Sequence, residues 1–348
     1  MSSLKRGLRN APDKADVLRG TYDRDWLLGP VERVLLGRAS DPAERGNAAS
    51  GGVLSATLCR LLVSGRVDAV LAVGFAPDNP VRACYLVLDS PDAVLAQAGS
   101  VYSYIPAQDL KRAAQEASDA GLERLAVVCQ PCHVPMVRRW QEQGQHGIQA
   151  VFSFFCGWNM TFEATLYLLH KAGIRPGEVA DLGYRRGPYP GGFGVRTTDG
   201  RERVFGKECY ELVNLQFVRP GCSRCTLYMG EGADLACGDA WLRGQRNLTA
   251  VLARTLAGLE FLESARAEGR VELFEFDEQR LVSMHLHNLK YKKYGLEPGL
   301  RFLAWLFGKA LPKPLAPFRL LSALSRWRRK RKIGIDPPEM RRVEEPLV

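Results

Sequence analysis

Cys222 and Cys225 stand three positions apart in Arg219-Pro-Gly-Cys-Ser-Arg-Cys-Thr226, directly after Pro220 and Gly221. In a tight turn, two thiolates at this spacing converge on one metal ion or one iron–sulfur cluster. A pair supplies only two ligands, so the rest must come from distant segments. Cys132 lies in Cys129-Gln-Pro-Cys-His133, Cys156 in Phe154-Phe-Cys-Gly-Trp158, and Cys237 in Ala233-Asp-Leu-Ala-Cys-Gly-Asp-Ala-Trp241, each read as a loop at the end of a strand. A redox or metal site built from sequence-distant thiols is the leading functional reading. Its competitor is a closed structural zinc site made of Cys129-x-x-Cys132 and Cys222-x-x-Cys225, which leaves Cys156 unexplained.

Three other segments carry chemistry. Ala49-Ser-Gly-Gly-Val53 opens a predicted helix, where free backbone N–H groups bind anions and two glycines admit a phosphate. The plainer reading is a helix cap. Arg185-Arg186 beside Pro190-Gly191-Gly192 suits a carboxylate or phosphate, or is a solvated basic surface. Gly238-Asp-Ala-Trp241 is either a turn with a packed tryptophan or the edge of a cofactor site.

The chain has 348 residues, 46% hydrophobic and 25% charged, enough for two domains or one large domain with a small companion. Its nine cysteines do not suggest a disulfide framework, because the count is odd and no secretory signal is read at the start. Cys59 and Cys84 read as core packing. No apolar run is long enough to span a membrane, and reduced thiols place the protein in the cytoplasm. Of the net charge of +10, more than half falls in residues 313–348, with ten Lys and Arg against four Asp and Glu.

The elements that must position these residues read as an α/β fold: a partly parallel sheet with flanking helices, a cysteine-loop-bearing C-terminal domain and a helical tail. Strands are expected at Val31–Arg38, Val67–Gly74, Arg82–Leu88, Leu122–Cys129 and Ile148–Phe155, and helices at Ala107–Ser118, Val134–Gln143 and Thr161–Lys171. The run Ser50–Gly65 reads as a helix with a serine cap at its start and glycine at its end. Asp199-Gly200 joins a hairpin of Val195–Thr198 and Arg203–Phe205. The remainder reads as helical over Ala250–Ala267, Asp277–Leu289 and Gly299–Leu311, while residues 1–30 look polar and partly disordered. The strand–turn–helix alternation puts the cysteine turns at the carboxyl ends of strands.

Taken in order, these motifs resemble the coenzyme F-420 hydrogenase/dehydrogenase beta-subunit family, which also includes 7-hydroxymethyl chlorophyll a reductase. The matching stretches are Gly29–Ala39, Ala49-Ser-Gly-Gly52 through Val73, Gln97-Ala-Gly-Ser-Val-Tyr102, Gln130-Pro-Cys-His133, Phe155-Cys-Gly157, Arg186–Gly192, Cys222-Ser-Arg-Cys225 and Ala233–Trp241. They cover roughly residues 29 to 300. The resemblance implies a bound FAD and a [4Fe-4S] cluster close enough to exchange electrons. Carried over by position, Cys132, Cys156, Cys222 and Cys225 would hold the cluster. Ser50, Gly51 and Gly52 would lie against the flavin cofactor, with Gln97, Ser100 and Tyr102 in a second lining segment. The sequence departs from the family at Cys129 and Cys237, where glycine and a small residue are usual, so both count as alternate ligands. No cysteine precedes Cys59, so any further cluster would be absent or supplied by a partner.

The expected organisation is an N-terminal extension (1–28), a flavin-side domain (29–120), a domain with the iron–sulfur site (121–305) and a basic tail (306–348). The expected function couples a one-electron carrier to the two-electron reduction or oxidation of an organic substrate or coenzyme. Ferredoxin or a deazaflavin coenzyme would be the electron donor. His133 and Asp239 are candidate proton donors. An electron-relay subunit without its own substrate site is the alternative role. The tail, with Leu320, Leu321, Leu324 and Trp327 among basic residues, suggests peripheral contact with an anionic membrane surface or an acidic partner, and nucleic acid is not expected.

Overall fold

The computed structural model of the chain describes residues 10–187, 191–206, 213, 217–295 and 339–348. Its centre is an eight-stranded sheet in the order β11-β1-β10-β9-β5-β4-β2-β3. Four adjacent strands, β2 (Ala69–Ala76), β4 (Leu125–Cys129), β5 (Ile148–Phe154) and β9 (Leu235–Asp239), run parallel. Antiparallel strands close both sides: β3 (Asn79–Leu88) on β2, and β10 (Thr249–Ala253), β1 (Arg33–Ala39) and β11 (Val271–Glu275) beyond β9.

Side-chain alternation along these strands explains the layers. Val70, Val128, Phe152 and Leu235 face one core with α4 (Val53–Val63) and α10 (Leu256–Ala267). Leu71, Val127 and Val151 face the opposite core with α6 (Ala107–Asp119) and α7 (Val134–Glu142). The other half of that second face packs on α11 (Glu278–Leu289), through Leu281, Val282, Leu286 and Leu289. Because β1, β10 and β11 join strands of the middle of the chain, one sheet unites the N- and C-terminal segments.

A second sheet of β6 (Val179–Arg186), β7 (Gly192–Thr197) and β8 (Glu202–Gly206) packs on α8 (Phe162–Ala172). The expected hairpin forms at Asp199-Gly200, where Gly200 takes φ +84°, a left-handed value that glycine meets without strain.

Three expectations fail. Ala250–Ala267 is not one helix: Thr249–Ala253 is a fully buried strand, and Thr255 caps α10 by accepting from the Gly258 amide at 3.0 Å. An apolar run buried on both faces has no helical period to betray it. Ser50 does not cap α4; Gly52 does, at φ +83° and with no side-chain cap. Residues 14–18 and 24–27 are short helices, α1 and α2, capped by Asp13 and Asp23. The expected helix over 299–311 and the bulk of the basic tail lie outside the described residues. Among the described residues, no helix is long and apolar enough to cross a membrane.

Candidate functional site

The carboxyl ends of the parallel strands deliver the cysteines. After β4, Gln130-Pro-Cys-His133 turns into α7; after β5, the chain crosses to β9, with the Phe155 amide donating to the Cys237 carbonyl at 2.9 Å, and then reaches Cys156. The Cys156 amide donates to the Tyr228 carbonyl at 2.8 Å, which fixes this turn. Cys222 lies in the single-turn helix α9 (Pro220–Arg224), and Cys225 follows as its C-cap, its amide donating to the Cys222 carbonyl at 3.3 Å. Thus three segments, separated by tens of residues, meet.

One pocket is lined by Cys132, Cys156, Cys222 and Cys225 together with Gln130, Asn159, Arg219, Leu227 and Lys292. The sulfurs sense one another. Burial pushes the Cys156 thiol up to about 12, and the other three cysteines add to the rise while Lys292 opposes it. Cys132 is exposed at the pocket mouth but backed by dense protein; desolvation, then Cys225 and Cys222, push it up to about 11. Thiols raised in this way need a positively charged centre to be held as thiolates.

Among the described residues, no group of three His, Cys, Asp or Glu side chains is gathered tightly enough for a single metal ion. One tetrahedral zinc draws its four sulfurs to about 2.3 Å from a common point. A four-iron cluster gives each thiolate its own iron and spreads the ligands.

Cys129 and Cys237 do not line this pocket. Cys129 ends β4 with its side chain in the core beneath α6 and α7, and burial drives its thiol far up. Cys237, mid-strand in β9, packs on the opposite face, its thiol pushed up to about 12 by burial alone. Cys59 and Cys84 are also buried. His133 is buried beside the pocket, its Nδ1 3.4 Å from the Tyr85 hydroxyl, and burial, aided by Arg219, lowers it to about 4, so it is neutral at pH 7.

The second group of expected residues gathers elsewhere on the same edge of the sheet. The Ser50 hydroxyl is 3.0 Å from the Thr249 hydroxyl, and the Gly51 amide donates to that oxygen at 2.9 Å. A Cβ at Gly51 would lie 2.6 Å from the Gly37 carbonyl, so this glycine serves close backbone packing. Gln97 follows the short helix α5 (Pro91–Ala96), its side-chain oxygen set against Gly74 of β2. Arg185 ties the region together: its guanidinium donates to both Asp239 oxygens at 3.1 and 3.2 Å, to the Tyr102 hydroxyl at 3.3 Å, and to the Ala49 carbonyl. Ser100 is half-buried in the same segment as Tyr102.

Sequence reasoning missed Lys292 and Arg219 as parts of these regions, and it named Arg185 and Asp239 without pairing them. Arg219 stacks its guanidinium 3.6 Å from the centre of the Tyr104 ring, anchoring the start of the cysteine turn. Its place directly before Pro220-Gly221 was a usable signal. Lys290-Tyr-Lys-Lys-Tyr294 offered none, since nothing in its residue types sets Lys292 apart from its neighbours.

Cysteines gathered at the carboxyl edge of a mixed α/β sheet suit metal or redox chemistry, and comparison narrows the class. Models of the N-terminal and C-terminal parts of the coenzyme F420 hydrogenase/dehydrogenase beta subunit match residues 34–111 and 122–279. The chain belongs to this oxidoreductase family. Coenzyme F420-dependent sulfite reductase of Methanocaldococcus jannaschii is 25% identical over 251 residues, covering 67% of this chain and 37% of that protein. An uncharacterized protein of the same organism is 24% identical over 251 residues, or 70% of this chain and 66% of its own length. The chain thus spans little more than a third of the reductase. A chain of the F420-reducing [NiFe] hydrogenase complex from Methanosarcina barkeri shares the fold, with a TM-score of 0.59 at 19% identity, covering 90% of this chain and 98% of that one.

Proposed function

We propose that this chain is a flavin- and iron–sulfur-dependent oxidoreductase in which Cys132, Cys156, Cys222 and Cys225 hold a [4Fe-4S] cluster. The observation that carries the reading is their convergence on one pocket from three separate segments. FAD would lie along Ser50, Gly51 and Gly52 and the Gln97–Tyr102 segment; the uncapped amino end of α4 supports an anionic group there. When bound, the two groups convert between one-electron and two-electron transfer. The protein's part is to hold and to shield. Asn159 and Leu227 wall the cysteine pocket, and Arg185 locks the Tyr102 segment to Asp239.

The deazaflavin coenzyme in the names of the family and its relatives is the proposed two-electron partner, and ferredoxin a proposed one-electron partner. A relay role within a larger assembly is favoured by the near-complete match to one chain of a hydrogenase complex. Anaerobic mixing of the cofactor-loaded protein with the reduced deazaflavin coenzyme tests the pairing. Bleaching of flavin and cluster absorption is expected, and unchanged spectra would remove that coenzyme as donor.

A further inference from the structure

α11 ends in a π-turn, Lys290–Tyr294, a rare wide turn that often marks a functional site. It buries two consecutive lysines, Lys292 at 1% exposed and Lys293 at 5%. Their surroundings differ. The Lys293 ammonium donates to Glu231 at 2.7 Å and sits 5.4 Å from the centre of the Trp26 ring, so its charge is balanced. Lys292 lines the cysteine pocket instead. Among the described residues, no carboxylate lies within ion-pair distance of it.

A buried ammonium without an anion is strongly unfavourable. Lys292 shares its pocket with Cys132, Cys156, Cys222 and Cys225, whose thiolates would supply that anion. An iron–sulfur core held by four thiolates is net negative, and gains one further negative charge on reduction.

We propose that Lys292 is the built-in counter-charge of the cysteine site, a positioning residue that favours the reduced cluster and so raises its potential. The proposal rests on the cluster reading above. The step would be a one-electron reduction of the cluster by a reduced flavin or ferredoxin-type carrier, itself oxidised by one electron; no proton leaves Lys292. A fixed cation stabilises the more negative state, so removing it must lower the potential.

The test compares wild type, Lys292→Met and Lys292→Arg in the full chain, by iron content and anaerobic potentiometric titration of the cluster. Lys292→Met is expected to lower the reduced-to-oxidised ratio at a fixed potential about tenfold, a shift of ~59 mV to more negative values. Lys292→Arg is expected to restore most of it, with iron content unchanged in both. Should Lys292→Met fold or load poorly, Lys292→Gln carries the same comparison. Equal iron and an unmoved potential would overturn the role of Lys292 alone. A wild-type chain without iron would overturn the cluster reading and this proposal with it.

Discussion

Two regions occupy the same edge of the sheet and are built on opposite plans. Around Arg185, polar groups answer one another: guanidinium to carboxylate, tyrosine hydroxyl and carbonyl, and Thr249 to Ser50 and Gly51. Around Cys132, Cys156, Cys222 and Cys225, four thiols and a buried ammonium surround a pocket. In the first region side chains partner one another, whereas the second gathers thiols that a bound group would partner. Self-satisfied polar networks set geometry; an arrangement costly in the bare protein points to what it binds.

The largest effect that sharpens this contrast is on metal content. Cys222→Ser and Cys156→Ser should each reduce iron from ~four per chain to a small fraction, whereas Arg185→Met should leave iron in place. Iron and sulfide analysis after anaerobic reconstitution checks this; full iron in both cysteine variants would break the contrast.

Next comes stability. Arg185 and Asp239 have side chains 4% and 15% exposed, so Arg185→Met strands a carboxylate and should cost about 3–5 kcal/mol in urea unfolding. A cost below about 1 kcal/mol would show that the pair is not the clasp described here.

Third is pH. His285 joins the two regions: its Nδ1 is 3.0 Å from the Tyr228 hydroxyl, and its ring packs edge-on to Phe155. Burial lowers it from 6.5 to about 4. The folded state therefore binds fewer protons than the unfolded chain between these values, and stability falls as pH drops through that window. Between pH 7 and 5 the loss from this group should be about 2 kcal/mol, and His285→Leu should remove that slope. A variant with an unchanged pH slope would place the acid sensitivity elsewhere.

The smallest effect should come from the excluded cysteines. Cys129→Ala and Cys237→Ala should keep full iron and lose only about 1 kcal/mol each from a buried core position. Loss of iron in either would return it to the ligand set.

Much of this was legible in the sequence because its signals were local. Leu125-Ala-Val-Val-Cys129 is a short apolar run followed by Pro131, and its strand and turn follow from that pattern. The four cysteines that meet in the pocket were named through motif order, which encodes a convergence that spacing alone does not. What stayed hidden depends on partners far along the chain. Thr249–Ala253 becomes a strand because β1 and β9 flank it. Gly51 is required by the backbone of β1 and by Thr249. Lys292 looks solvated until a π-turn rotates it into the pocket.

The central claim is that the cysteine pocket holds a multi-iron cluster. Purification without oxygen, followed by absorption spectroscopy with iron, sulfide and zinc analysis on the same sample, tests it directly. The account predicts a broad thiolate-to-iron absorption with ~four irons and matching sulfide per chain. A colourless protein carrying stoichiometric zinc and no iron would contradict it.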